Sequence, residues 1–62
     1  MFTLKCRLFG HVYEVEAETK EEILSLAIAG FEQNAELISI SEDGVGKYEH
    51  CEIYALIGKV AY

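Results

Sequence analysis

The chain has 62 residues, of which 52% are hydrophobic and 26% charged, and its eleven acidic and five basic side chains give a formal net charge of −6. This length leaves room for a single domain spanning residues 1–62, and the hydrophobic fraction excludes a disordered chain. The shortage of basic residues excludes a conventional DNA- or RNA-binding module, because such a module needs a basic face to neutralise phosphates.

The amino-terminal segment does not have the features of a secretion signal. Lys5 and Arg7 interrupt its apolar pattern, and it has no small-residue cleavage site. The longest apolar run, residues 53–57, is too short to span a membrane. We therefore expect a cytoplasmic protein with no membrane partner, in which Cys6 and Cys51 are reduced rather than joined in a disulfide.

Residues 2–17 alternate apolar and polar side chains on either side of a glycine, which predicts a β-hairpin. A type II′ turn at Gly10-His11 would place Lys5 opposite Glu16 and Cys6 opposite Val15. One face of this hairpin is then apolar, and the other carries opposite charges on neighbouring strands. A slip of one residue would exchange the two faces, so the pattern specifies the register.

The segment Thr19-Lys20-Glu21-Glu22 matches a capping box and predicts that a helix begins there. At helical spacing, five apolar side chains fall within an arc of about 140°: Ile23, Leu24, Ala27, Ile28 and Phe31. Asn34 is expected to end the helix in the left-handed conformation, with Gly30 as an earlier alternative.

Two further strands are predicted, over residues 36–42 and somewhere within 47–62. A tight Asp43-Gly44 turn would place Ile40 opposite Lys47, whereas a longer loop would bring Ile40 towards Ile53, and the longer loop is favoured. The resulting ββαββ order predicts an α+β domain with one helix on one face of a four-stranded antiparallel sheet. A right-handed crossover favours the strand order 2-1-3-4, and the alternative is 1-2-3-4.

The predicted last strand is apolar on both sides, as strands buried on both faces are. One side carries Cys51, Ile53, Ala55 and Ile57, and the other carries Tyr54, Leu56, Val60 and Tyr62. A single helix covers only one sheet face, so we expect a non-enzymatic protein-binding domain that forms a homodimer through this strand. The candidate interface consists of Tyr54, Leu56, Val60, Tyr62 and, as a lesser contact, Leu26. Alternatively the end of the chain folds back or frays, leaving ordinary exposed apolar residues.

An acidic patch is predicted near the junction of the hairpin and the helix, comprising Glu14, Glu16, Glu18, Glu21 and Glu22. Such residues favour solubility, and those in the first helical turn interact well with the helix dipole. A second interpretation is a surface that binds a basic partner. On this alternative the protein is an acidic inhibitor, of the kind a phage or other mobile element encodes, which occupies the basic surface of a nucleic-acid-binding host protein.

The sequence indicates no catalytic, cofactor or metal site. The potential metal ligands are His11, His50, Cys6 and Cys51, and their spacing in the sequence matches no metal-binding motif. His50 and Cys51 are adjacent, so on a strand they would point to opposite faces. Ser39 and Ser41 have no predicted histidine beside them to act as a base. A phosphate-binding loop precedes a helix, whereas no helix is predicted after the glycines at 44 and 46. We therefore expect no enzymatic activity.

Overall fold

A computed structural model of the protein describes residues 1–59. Its elements are β1 (Phe2–Leu8), β2 (His11–Ala17), α1 (Lys20–Glu32), β3 (Glu36–Glu42), β4 (Val45–Glu49) and α2 (His50–Leu56). The strands form one antiparallel sheet in the order β2-β1-β3-β4. This confirms the predicted α+β class and strand order, with a second helix where the sequence predicted the end of the last strand.

Both helices contribute to one hydrophobic core on the same side of the sheet. α1 packs on β1, β2 and β3, and α2 packs on β3 and β4. The helices meet where the rings of Phe31 and Tyr54 pack edge to face, with 5.7 Å between their centroids. The fully or nearly fully buried side chains are Leu4, Cys6, Ala17, Ile23, Ala27, Ala35, Leu37, Ile40, Ile53 and Tyr54. The opposite sheet face is polar on the first hairpin, as the alternating pattern predicted.

α1 begins after Thr19 and ends before Asn34, as predicted, but the Glu22 carboxylate accepts from the Thr19 hydroxyl at 3.2 Å rather than from the Thr19 backbone N–H as in a capping box. The Glu22 backbone N–H donates to the Thr19 hydroxyl oxygen at 3.2 Å, so Thr19 is the N-cap. Asn34 has a φ of 66° just after the helix. The Ala35 N–H then donates to the Gly30 carbonyl at 2.9 Å, which together with the left-handed Asn34 forms a Schellman motif.

The turn of the first hairpin lies one residue earlier than predicted. Phe9 and Gly10 form it, both with positive φ (52° and 80°), as a type I′ turn requires. Lys5 consequently pairs with Glu14 rather than with Glu16. Because each partner changes by two residues, every side chain remains on its predicted face, and the pattern alone did not distinguish the two registers.

The second hairpin has the tight turn, so the favoured longer loop is wrong. Asp43 and Gly44 have φ values of 51° and 84°, and Asp-Gly is among the sequences that type I′ turns favour most. An irregularity between Ile40 and Ser41 then places Ile40 opposite Tyr48 instead of Lys47.

The predicted strand over the carboxyl-terminal part of the chain is also wrong, because β4 ends at Glu49 and residues 50–56 form α2. A capping box begins this helix: the Glu49 N–H donates to the Glu52 carboxylate at 2.9 Å, and the Glu49 side chain accepts from the Glu52 N–H. The apolar run after His50 is nearly continuous, so a period of two and a helical period both fit it. Within residues 1–59, neither helix is long and apolar enough to cross a membrane.

Candidate protein-binding edge of the sheet

The outer edge of β2 is a long strand edge with regular geometry. β2 lies at one end of the sheet and pairs with β1 in continuous register over all seven of its residues. Within residues 1–59, β1 is the only strand that pairs with β2. An edge strand of this kind presents a row of backbone donors and acceptors to whatever lies beside it.

The hairpin geometry shows which backbone groups point outward. In a two-residue type I′ hairpin the pair that closes the turn, here Leu8 and His11, exchanges both backbone hydrogen bonds. Bonded and non-bonded pairs then alternate along the strands. Val12, Glu14 and Glu16 fall in non-bonded pairs, so their N–H and C=O groups point away from β1.

Side chains on the two faces of β2 differ in character. Val12, Glu14 and Glu16 are exposed on the open face of the sheet, away from the helices. Tyr13 and Val15 are half-buried on the face that α1 covers. A strand placed beside β2 would therefore meet carboxylates on one face and apolar side chains on the other.

An apolar cleft of about 190 Å³ lies between β2 and α1, on the helix-covered face. Its walls are Leu4, Cys6, Tyr13 and Val15 from the sheet and Leu26, Ala29, Gly30 and Gln33 from α1. Ala29 has a short side chain, which leaves room beside β2. Gly30 is buried, and an added Cβ there would lie 3.3 Å from the Leu37 side chain and 3.9 Å from the Cys6 Sγ, so glycine allows α1 to pack closely on the sheet.

The glutamates of the acidic patch are all exposed, as predicted. In the described part of the chain, the ion pairs of side-chain carboxylates involve other residues: Asp43 with the amino terminus at 2.8 Å, Glu36 with Arg7 at 3.3 Å and Glu42 with Lys47 at 3.5 Å. The patch therefore leaves net negative charge beside the outer edge of β2, reduced at Glu14 by Lys5 on the neighbouring strand. Glu21 and Glu22 additionally lie in the first turn of α1, where negative charge is favourable.

The cleft contains a buried thiol. Burial raises the pKa of Cys6, and the hydroxyl of its cross-strand partner Tyr13 offsets this in part. Burial also raises the pKa of Tyr13, with a further contribution from Cys6. Both groups are therefore held in their neutral forms, which suits an apolar binding surface better than nucleophilic chemistry.

The other edge of the sheet is closed by α2. The Leu37 backbone N–H donates to the Tyr54 hydroxyl oxygen at 3.3 Å, and the His50 Nδ1 lies 2.6 Å from the Leu37 carbonyl oxygen. Leu37 lies beyond the last residue of β3 that pairs with β4, which is Ser39. His50 and Tyr54, one helical turn apart on α2, thus contact the backbone groups of Leu37 that a longer β4 would have paired with.

Of the candidate interface residues that the structure describes, Tyr54 lies in the core, whereas Leu56 and Leu26 are exposed and lie on different helices. Tyr54 is 1% exposed and belongs to the core, whereas Leu56 is 42% exposed. Leu26, 38% exposed, lies in the wall of the cleft. Val60 and Tyr62 lie outside the described residues. The two cysteines are free, Cys6 buried and Cys51 exposed.

Comparison with known proteins gave no significant match to a family model, a curated protein or a solved structure. The β2 edge and its cleft therefore rest on geometry alone. Sequence reasoning did not single out this edge as a binding surface, although the predicted order 2-1-3-4 already places β2 at the end of the sheet. The missing signal was the cleft, which depends on how α1 sits over β2.

Proposed function

We propose that this protein is a non-enzymatic protein-binding domain, and that its binding surface is the β2 edge site. The site comprises the outward backbone groups of Val12, Glu14 and Glu16 together with the cleft beside Leu26. The observation that carries the proposal is a seven-residue strand edge in regular register next to an apolar cleft. Addition of an extended peptide to such an edge is a common mode of recognition, in which backbone bonds supply affinity and pockets supply specificity.

The placement of Ile53 and Tyr54 in the core moves the proposed surface away from the carboxyl-terminal segment. Self-association through that segment was expected because the predicted last strand is apolar on both sides, whereas a single helix covers only one face of the sheet. α2 uses these two residues inside the core, which leaves Leu56 as the exposed large hydrophobic residue of α2. The β2 edge site combines exposed apolar surface with backbone groups available for pairing, so it supports binding better.

The test is a selection of peptides from a random displayed library on the folded protein. Selected peptides are then measured against Glu14→Pro, which removes an outward N–H without removing a bond to β1, since proline is tolerated at edge positions. Glu14→Gln is the matched control because it keeps the N–H. We expect Glu14→Pro to weaken binding by about tenfold, the loss of roughly one well-made hydrogen bond.

A second substitution examines the cleft independently. Leu26→Lys places a charge in the cleft wall while leaving the core face of α1 intact, because Leu26 is an exposed position. We expect it to weaken binding of the same peptides by about tenfold, since an apolar side chain of the peptide would lose its contact with Leu26. Selected peptides whose affinity is unchanged by both Glu14→Pro and Leu26→Lys would overturn the proposal.

The net negative charge of the acidic patch favours a second candidate function, an acidic inhibitor of a nucleic-acid-binding protein, as phages and other mobile elements encode. Its carboxylates would take the place of phosphates on a basic surface. The test is capture of basic proteins from cells, comparing the natural chain with a variant carrying Glu16→Lys, Glu18→Lys and Glu21→Lys. A captured nucleic-acid-binding protein that duplex DNA displaces, and that the variant does not bind, supports this function; salt-independent capture contradicts it.

A further inference from the structure

We infer that the β2 edge site takes an extended segment of another protein in which basic residues alternate with apolar ones. The segment would add to the sheet as a fifth strand beside β2. This inference rests on the proposed function, because it specifies the partner of the same site. Each half of the alternation follows from a different face of β2.

The basic positions follow from the open face. In an added strand, every second side chain lies beside Glu14 and Glu16, within the range at which cross-strand pairs interact. Inside the sheet, Glu14 faces Lys5, whereas Glu16 faces Thr3, which carries no charge. A lysine or arginine of the partner therefore gains most beside Glu16. The remaining glutamates of the acidic patch extend the same negative field towards α1.

The apolar positions follow from the opposite face. The intervening side chains of the added strand point to the helix-covered side, next to Tyr13 and Val15. There the cleft of about 190 Å³ gives room for an aliphatic side chain between β2 and Leu26 of α1. Burial of such a side chain contributes about 1.5 to 3 kcal/mol in favourable cases. An added strand that is polar on both faces would leave the cleft unfilled.

A second copy of this chain fits the edge poorly. Antiparallel pairing of two β2 strands over all seven residues places Glu14 opposite Glu14. Like charges directly opposite each other destabilise a strand pair. The net charge of −6 opposes self-association further. The charge complement of this edge is therefore a basic segment of a different protein.

The experiment uses synthetic seven-residue peptides, matching the length of β2. One alternates lysine and valine, a second has the same composition with the lysines grouped together, and a third alternates threonine and valine. Binding is measured by titration with amide chemical-shift mapping. We expect the alternating lysine-valine peptide to bind at least about tenfold more tightly than the other two, with shifts at Val12, Glu14, Glu16 and Leu26.

Two further measurements separate this inference from simple charge attraction. Glu16→Gln should lower the affinity for the alternating lysine-valine peptide several-fold and reduce the salt dependence of binding. Glu52→Gln, on α2, should change neither the affinity nor its salt dependence. Equal binding of the grouped peptide would overturn the alternation. Equal binding of the threonine-valine peptide at the same amides would overturn the basic preference while leaving the proposed function intact.

The remaining outcomes test either the proposed function together with this inference, or only the class of partner. Binding of the lysine-valine peptide with shifts confined to other elements would count against the β2 edge site itself and so against the proposed function. Failure of all three peptides, while library-selected peptides bind and lose affinity with Glu14→Pro, would overturn only the partner class. A concentration-dependent dimer that Glu14→Pro abolishes in sedimentation would identify a second copy as the occupant and also overturn it.

Discussion

The two edge strands of the sheet, β4 and β2, differ in how their outer edges are protected. At the β4 end the strand is short, its pairing with β3 is irregular, and α2 places His50 and Tyr54 against the backbone of Leu37. At the β2 end the strand pairs regularly over its whole length and carries neither proline nor lysine. Natural proteins use exactly such short, irregular or covered edges to prevent unwanted pairing. The β2 edge carries the charges of Glu14 and Glu16 but is otherwise regular and uncovered, and this contrast is the reason for proposing it as the binding edge.

The largest expected effect concerns the closed edge. Tyr54→Ala removes a fully buried aromatic side chain and should destabilise the protein by about 3 to 5 kcal/mol, the range for large aromatic truncations. Since small domains have total stabilities of about 5 to 15 kcal/mol, this variant should be largely unfolded at moderate urea concentrations. Urea denaturation followed by circular dichroism measures the change.

The matched variant Tyr54→Phe isolates the hydroxyl. It keeps the ring against Phe31 and His50 but leaves the buried Leu37 N–H without its acceptor. We expect a loss of about 1 to 3 kcal/mol, the cost of an unsatisfied buried donor. Full retention of stability would show that the α2 hydroxyl does not close this edge, and the contrast between the two edges would be weakened.

A second prediction compares neighbouring residues of β2. Tyr13 lies in a pair bonded to β1, whereas Glu14 points its backbone outward, so Tyr13→Pro should cost at least about 1 to 3 kcal/mol more than Glu14→Pro. The difference in urea midpoints gives this value.

Amide hydrogen exchange examines the same assignment without substitution. The amides of Val12, Glu14 and Glu16 should exchange fast in the free protein, whereas those of Tyr13 and Val15 should be protected. The reverse pattern would mean that the backbone groups of Tyr13 and Val15, and not those of Val12, Glu14 and Glu16, point away from β1. The β2 edge site would then consist of different residues.

A third prediction concerns the thiol in the cleft. Burial raises the pKa of Cys6 in the folded protein, so above roughly pH 8.5, where ordinary thiols ionise, the unfolded chain releases a proton that the folded chain retains. The unfolded state is then favoured, and stability should fall as the pH rises through this range. Urea midpoints between neutral and alkaline pH measure the slope.

The exposed cysteine supplies the control for this slope. Cys6→Ala should flatten the alkaline loss of stability, although it lowers stability at neutral pH by leaving a small cavity. Cys51→Ala, which removes the exposed thiol of α2, is the matched control. An equal effect of the two substitutions would show that the alkaline transition does not report on the cleft.

The β2 side of the molecule was more predictable than the β4 side, for physical reasons. Strict alternation in β1 and β2 has a single period, so it specified the faces even though the turn moved by one residue. The residues after His50 are apolar almost without interruption, and such a run does not distinguish strand from helix. The Glu49-x-x-Glu52 capping box was the local signal for α2. The exposed glutamates of the acidic patch were predictable from their positions, whereas the cleft required the packing of α1 on β2.

The smallest expected effect compares the turns that end the two hairpins. Asp43 and Phe9 occupy the same type I′ position with nearly equal φ, but Phe9 is 91% exposed and belongs to a residue type that this conformation disfavours. Phe9→Asn should therefore stabilise the protein by about 0.5 to 1 kcal/mol, since it relieves backbone strain and gives up almost no buried surface. Thermal denaturation measures this gain, and Phe9→Gly should reproduce most of it. If both substitutions destabilise the fold, the ring contributes to packing in the free protein. If they stabilise it, the Phe9 ring contributes less to packing in the free protein than its strained backbone costs.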